Sequence, residues 1–101
     1  MTGSTIRVAL ADDQHLIRAG FSSLLEAEPD LEVVGEASTG RDAVALVKRT
    51  KPDVVLMDIR MPDGDGLWAT EQIVADPALA GTRVVVAVSY THLTLPTKRI
   101  V

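Results

Sequence analysis

A chain of 101 residues has material for one small domain, and because 47 % of it is apolar but only 3 % aromatic, the core must be aliphatic. The net charge of −4 argues against a nucleic-acid surface in this segment, and with no cysteine neither a disulfide nor a thiolate metal site can form. No apolar run approaches a transmembrane span and no hydrophobic leader precedes Ile6, so a cytoplasmic location without membrane contact is expected.

Residues 1–5 read as a loose leader. Ile6–Ala11 is a first strand, ended by Asp12 and Asp13. Residues 14–28 carry Ile17, Phe21, Leu24 and Leu25 at helical spacing, which predicts an amphipathic helix stopped by Pro29 and Asp30. Leu31–Ala37 is a less apolar strand, suited to a sheet edge. After the turn Ser38-Thr39-Gly40 a second helix runs to about Thr50, with Ala43, Val44, Leu46 and Val47 inward. Lys48, Arg49 and Lys51 near its end suit the negative pole of the helix dipole. Val54–Asp58 is a short apolar run closed by turn residues, the mark of a buried parallel strand. A third helix is predicted over 67–76 with Thr70, Ile73 and Val74 inward, then a connector over 77–82 and a β-branched strand over 83–88.

Alternation of this kind predicts an α/β fold, a parallel sheet with right-handed crossovers and helices on both faces. The remaining residues break the rhythm. Leu93, Leu95 and Ile100 show no helical period and Pro96 interrupts any long helix, so 89–101 reads as an irregular tail.

The chemistry gathers at the carboxyl ends of the strands, where open α/β sheets bind their ligands. Asp12, Asp13 and Asp58 all fall there. If the first and third strands are neighbours, their ends lie about 5 Å apart. Three carboxylates that close repel, so either one stays protonated or a cation joins them. Hard oxygen ligands with open positions favour Mg²⁺, and one carboxylate could then act as nucleophile toward a phosphoryl group. The plainer reading is that an Asp-Asp pair before a helix is an N-cap and Asp58 a turn residue. Both sites ending apolar parallel strands favours chemistry, and a cap can also be a ligand.

Ala11-Asp12-Asp13 followed by Asp58-Ile59-Arg60-Met61-Pro62 and Asp65-Gly66 resembles the receiver domain of bacterial two-component response regulators. Ile17-Arg18-Ala19-Gly20-Phe21, Val33-Val34-Gly35-Glu36-Ala37 and Gly40-Arg41-Asp42-Ala43 resemble the NarL/FixJ-type subfamily, whose output is a LuxR-like helix-turn-helix. The resemblance covers residues 6–86. It implies a flavodoxin-like, doubly wound sheet of strand order 2-1-3-4-5. It implies Asp58 as phosphoacceptor, Mg²⁺ as cofactor, and a sensor histidine kinase as phosphodonor, with another receiver as a second candidate partner. Asp12, Asp13, Asp58 and the backbone carbonyl of Arg60 would hold the metal, Asp13 as the more direct of the acidic pair. The intact parent would be a DNA-binding transcriptional regulator, and the chain itself not an enzyme.

The chain also departs from that pattern. The hydroxyl residue expected at the end of the fourth strand aligns with Val88, Ser89 comes one residue late, and Lys98 matches no family lysine by any motif. The expectation is therefore an incomplete receiver over 1–88, with four strands and three helices, and a tail over 89–101 foreign to the family. Two alternatives stand beside it: an interaction module that does not signal, and a Mg²⁺-dependent phosphohydrolase. The haloacid dehalogenase form of the latter needs a second Asp where Arg60 stands. Gly64-Asp65-Gly66-Leu67-Trp68-Ala69 fits a dinucleotide pattern but follows the wrong strand, and reads as a loop and helix start. His15 and His92 are expected at the surface, and Trp68 as a half-exposed packing residue beside the acidic site.

Overall fold

Residues 5–87 are described by the structure, a computed structural model. The elements run β1 (Ile6–Ala11), α1 (His15–Glu26), β2 (Leu31–Ala37), α2 (Gly40–Thr50), β3 (Val54–Asp58), α3 (Gly66–Ala75), a 3-10 turn (Pro77–Leu79) and β4 (Arg83–Ala87). The expected boundary at residue 88, the tail beyond it, and Val88, Ser89, His92 and Lys98 lie outside the described residues.

The described strands form one parallel sheet of order β2-β1-β3-β4, so β2 takes the edge that its composition suits. Ala9, Ala11, Val55 and Met57 point to one face, where they meet Ala43, Leu46 and Val47 of α2 and Ala69 and Ile73 of α3. Val8 and Leu10 are buried on the opposite face, on which α1 lies against β1 and β2. All four of Ala43, Val44, Leu46 and Val47 are inward as predicted.

Two helices depart from expectation in their packing. Val74 is 73 % exposed, because Ala69 and Ile73 set the inner face of α3. No residue of α1 is fully buried, and Phe21 and Leu24 of its apolar stripe are 43 % and 69 % exposed. The cause is topological. The crossover from β1 to β2 runs opposite to the next two, so α1 sits on one face while α2 and α3 pack together on the other. Among the described residues α1 packs chiefly on β2 and β1, and Val85, level with Leu56 in the sheet, is also exposed.

Helix ends follow local chemistry. Thr39 Oγ1 accepts from the Asp42 N–H (3.0 Å) and Asp65 Oδ1 from the Trp68 N–H (2.8 Å), capping α2 and α3. Helix α1 stops two residues short of its predicted end, with Pro29 in the turn that follows.

Candidate functional site

Ala11 pairs with Met57, and the same register carried one residue further sets Asp12 level with Asp58. Asp13 follows in the β1–α1 loop. Carboxylate oxygens of Asp12, Asp13 and Asp58 lie within 4.8 Å of one another. The three residues singled out in the sequence therefore meet at the carboxyl edge of the sheet. They differ in exposure: Asp13 is open to solvent, Asp12 half-buried and Asp58 only 4 % exposed.

Asp12 and Asp58 are tied to neighbouring backbone. The Asp12 N–H donates to the Ala37 carbonyl at 3.0 Å, extending the β1–β2 ladder past the end of β1. Asp12 Oδ1 accepts from the Gln14 N–H at 2.8 Å, so it turns the chain into α1 while its second oxygen remains for another partner. Arg18 Nη1 donates to the Asp12 carbonyl at 2.6 Å. Asp58 Oδ1 accepts from the Arg60 N–H at 3.3 Å. The Arg60 side chain is exposed.

The loop beyond Asp58 is drawn tightly over it. The Gly66 N–H donates to the Ile59 carbonyl at 2.8 Å, and a Cβ at Gly66 would run into the Asp58 carbonyl. Only glycine lets α3 begin this close to the end of β3. The other side of the loop is fastened to α2, where the N–H groups of Gly40 and Arg41 donate to the Pro62 and Asp63 carbonyls at 3.3 and 3.0 Å. A Cβ at Gly40 would meet the Gly64 carbonyl. The Arg41–Asp63 ion pair (3.0 Å) is solvent-exposed and adds little to this fastening.

Asp58 Oδ2 is buried and has no hydrogen-bond partner among the described residues. Burial is the largest of the forces that raise the Asp58 pKa from its ordinary 3.8; the Arg60 N–H opposes it, and the charges of Asp12 and Asp13 and contact with the Asp12 carboxyl add to it. A buried oxygen without a donor, beside two further carboxylates, suits a hard cation that keeps some of its own waters, and this donor set fits Mg²⁺.

His15 is exposed, with Nδ1 3.4 Å from Arg18 Nη2. Trp68 is half-buried and packs against the core cluster. Asp65 of the glycine-rich stretch is a helix cap. Two residues were named in the sequence only as parts of motifs, and their structural roles escaped the reading. Gly66 is one, and its signal was the glycine placed directly after a capping Asp. Arg18 is the other, and its signal was a lone cation inside the apolar stripe of α1. Among the described residues no helix is long and apolar enough to cross a membrane.

Comparison with known proteins bears on what this edge does. The pattern of the response regulator receiver domain family matches residues 8–99. The transcriptional regulatory proteins YxjL and LiaR of Bacillus subtilis are 47 % identical over 90 residues and 45 % over 85, which is 89 % and 84 % of this chain. The chain spans only 40 % and 39 % of their lengths. Among solved structures, the signal receiver domain of the response regulator NarL from Mycobacterium tuberculosis superposes with a TM-score of 0.78 at 34 % identity, over 85 % of this chain and 68 % of that one.

Proposed function

Because the chain belongs to the response regulator receiver domain family, we propose that it accepts a phosphoryl group on Asp58 from a sensor histidine kinase. The observation that carries this is the unpartnered, buried Asp58 Oδ2 facing two further carboxylates. Asp13 and Asp12 would hold Mg²⁺ together with Asp58 and the Arg60 carbonyl. When bound, such an ion would offset the carboxylate charges and the charge of the phosphoryl oxygens.

The protein's own groups then divide the work. The Arg60 N–H holds Oδ1 and so fixes the rotation of the Asp58 carboxylate. An oxygen of the ionised Asp58 carboxylate attacks, an O–P bond forms, and the P–N bond to the donor histidine breaks, its electron pair returning to the imidazole. The short backbone ties through Gly66 and Gly40 keep the acceptor still while this happens. In this reading the chain is a substrate of the kinase and no enzyme, it works in the cytoplasm, and its parent protein is a DNA-binding transcriptional regulator like the relatives it matches. Another receiver is a second candidate partner.

Incubation with a small phosphodonor and Mg²⁺ tests it. A base-labile adduct of one phosphoryl group should map to Asp58 by mass spectrometry. Labelling unchanged in Asp58→Ala would sink the assignment, and sustained phosphate release with turnover would favour the phosphohydrolase reading instead. For the metal, Mg²⁺ should change the fluorescence of Trp68, and Asp13→Asn should weaken that response sharply. Identical titrations for wild type and Asp13→Asn would remove Asp13 from the ligand set.

A further inference from the structure

We infer that Arg18 is a positioning residue for the acidic pair, acting through the backbone of Asp12. This rests on the metal site proposed above and adds a residue to it. The loop after β1 carries two of the three carboxylates, and the ladder reaches it only through the Asp12 N–H to Ala37 carbonyl bond, so further contacts are needed to fix it. Arg18 reaches back from α1 and places Nη1 2.6 Å from the Asp12 carbonyl, while Nε meets Glu36 Oε1 of β2 at 3.0 Å. Its side chain is only 15 % exposed. One guanidinium thus joins three elements: the helix that bears it, the edge strand, and the loop that carries Asp12 and Asp13.

The planar fork suits this. Two donors in fixed geometry hold the carbonyl and the carboxylate at once, which an ammonium on a flexible stem cannot do. Glu36 also offsets the charge, so Arg18 acts by placement rather than by lowering the repulsion among the carboxylates. Partners that orient ligand-bearing groups commonly matter to metal affinity about tenfold or more.

The molecule supplies its own control. Arg7, at the opposite end of β1, also donates to a backbone carbonyl, that of Lys51 at 3.0 Å. Arg18→Gln, Arg18→Lys and Arg7→Gln would be compared in the full chain by Mg²⁺ titration, followed by Trp68 fluorescence and by calorimetry. Circular dichroism fixes a temperature at which all are folded. Arg18→Gln should raise the half-saturating Mg²⁺ concentration about tenfold. Arg18→Lys should recover little of this, and Arg7→Gln should bind as wild type does. Equal weakening by Arg7→Gln would mean a general loss of stability, and full recovery in Arg18→Lys would mean that charge alone matters; either overturns the inference. Wild-type affinity in Arg18→Gln overturns it too while leaving the metal site intact. A wild-type chain that shows no Mg²⁺ response would bring down the site itself, and this inference with it.

Discussion

Asp58 is the charged side chain that the described fold buries, and its cost can be read through pH. Its pKa in the fold lies above the ordinary carboxylate value, so the native state keeps the proton longer than the unfolded chain does. The stability linked to that proton is complete below about pH 3.9 and is lost as pH rises through the folded-state value. Without metal, Asp58→Asn should therefore raise the urea midpoint at pH 8, with a gain of about 1–3 kcal/mol, the usual cost of a buried polar group without a partner. The gain should shrink as the pH approaches 4. A midpoint that Asp58→Asn leaves unmoved at both ends of this range would show that burial does not penalise the carboxylate. The three carboxylates were legible in the sequence because each ends or follows an apolar strand, and apolar strands announce themselves. Arg18 was not, because one of its partners is a backbone carbonyl and the other, Glu36, belongs to a different strand; neither relation leaves a periodic trace.

Among the elements, α2 and α1 are opposites, and substitutions should treat them so. Helix α2 is capped by Thr39 and buries Ala43, Val44, Leu46 and Val47. Thr39→Ala should cost about 1 kcal/mol by removing the acceptor for the Asp42 N–H. Leu46, 3 % exposed, should cost about 2–5 kcal/mol when cut to Ala. Leu24 of α1, 69 % exposed, should tolerate Gln within about 0.5 kcal/mol. Chemical denaturation of the three variants checks the order, and a Leu24→Gln loss as large as that of Leu46→Ala would contradict the burial pattern. The sequence showed helical periodicity in both helices equally. Period locates a stripe but says nothing of how much of it is covered; that depends on which face each crossover takes and on what lies beside the helix. The inward assignment of Val74 failed for a similar reason, since a short helix offers two plausible faces and α2 selects the one with Ala69 and Ile73.

For the molecule as a whole, strand alternation sufficed to give the parallel sheet, while the order β2-β1-β3-β4 came from the family resemblance and the structure agrees with it. Apolar surface remains in water along α1 and at Val85, in a chain that spans about two-fifths of the curated relatives it matches. The sheet has a further property, one of time. Every pairing in it is parallel, so no strand can find its neighbour by a tight turn. Ile6 must meet Leu31, Val54 must meet Arg83, and the central pairing brings Val8 to Val54. Each closure spends loop entropy before any ladder repays it, and the site is assembled by the most distant of the three. Helices of this length relax in roughly 1 μs, so refolding followed at Trp68 after denaturant dilution should lag far behind, in milliseconds or longer. Recovery within microseconds would mean that the sheet is not the slow step. On this account Asp12 and Asp58, separated by α1, β2, α2 and most of β3, become neighbours late, and a chain caught before that moment has helices but no edge at which the three carboxylates meet.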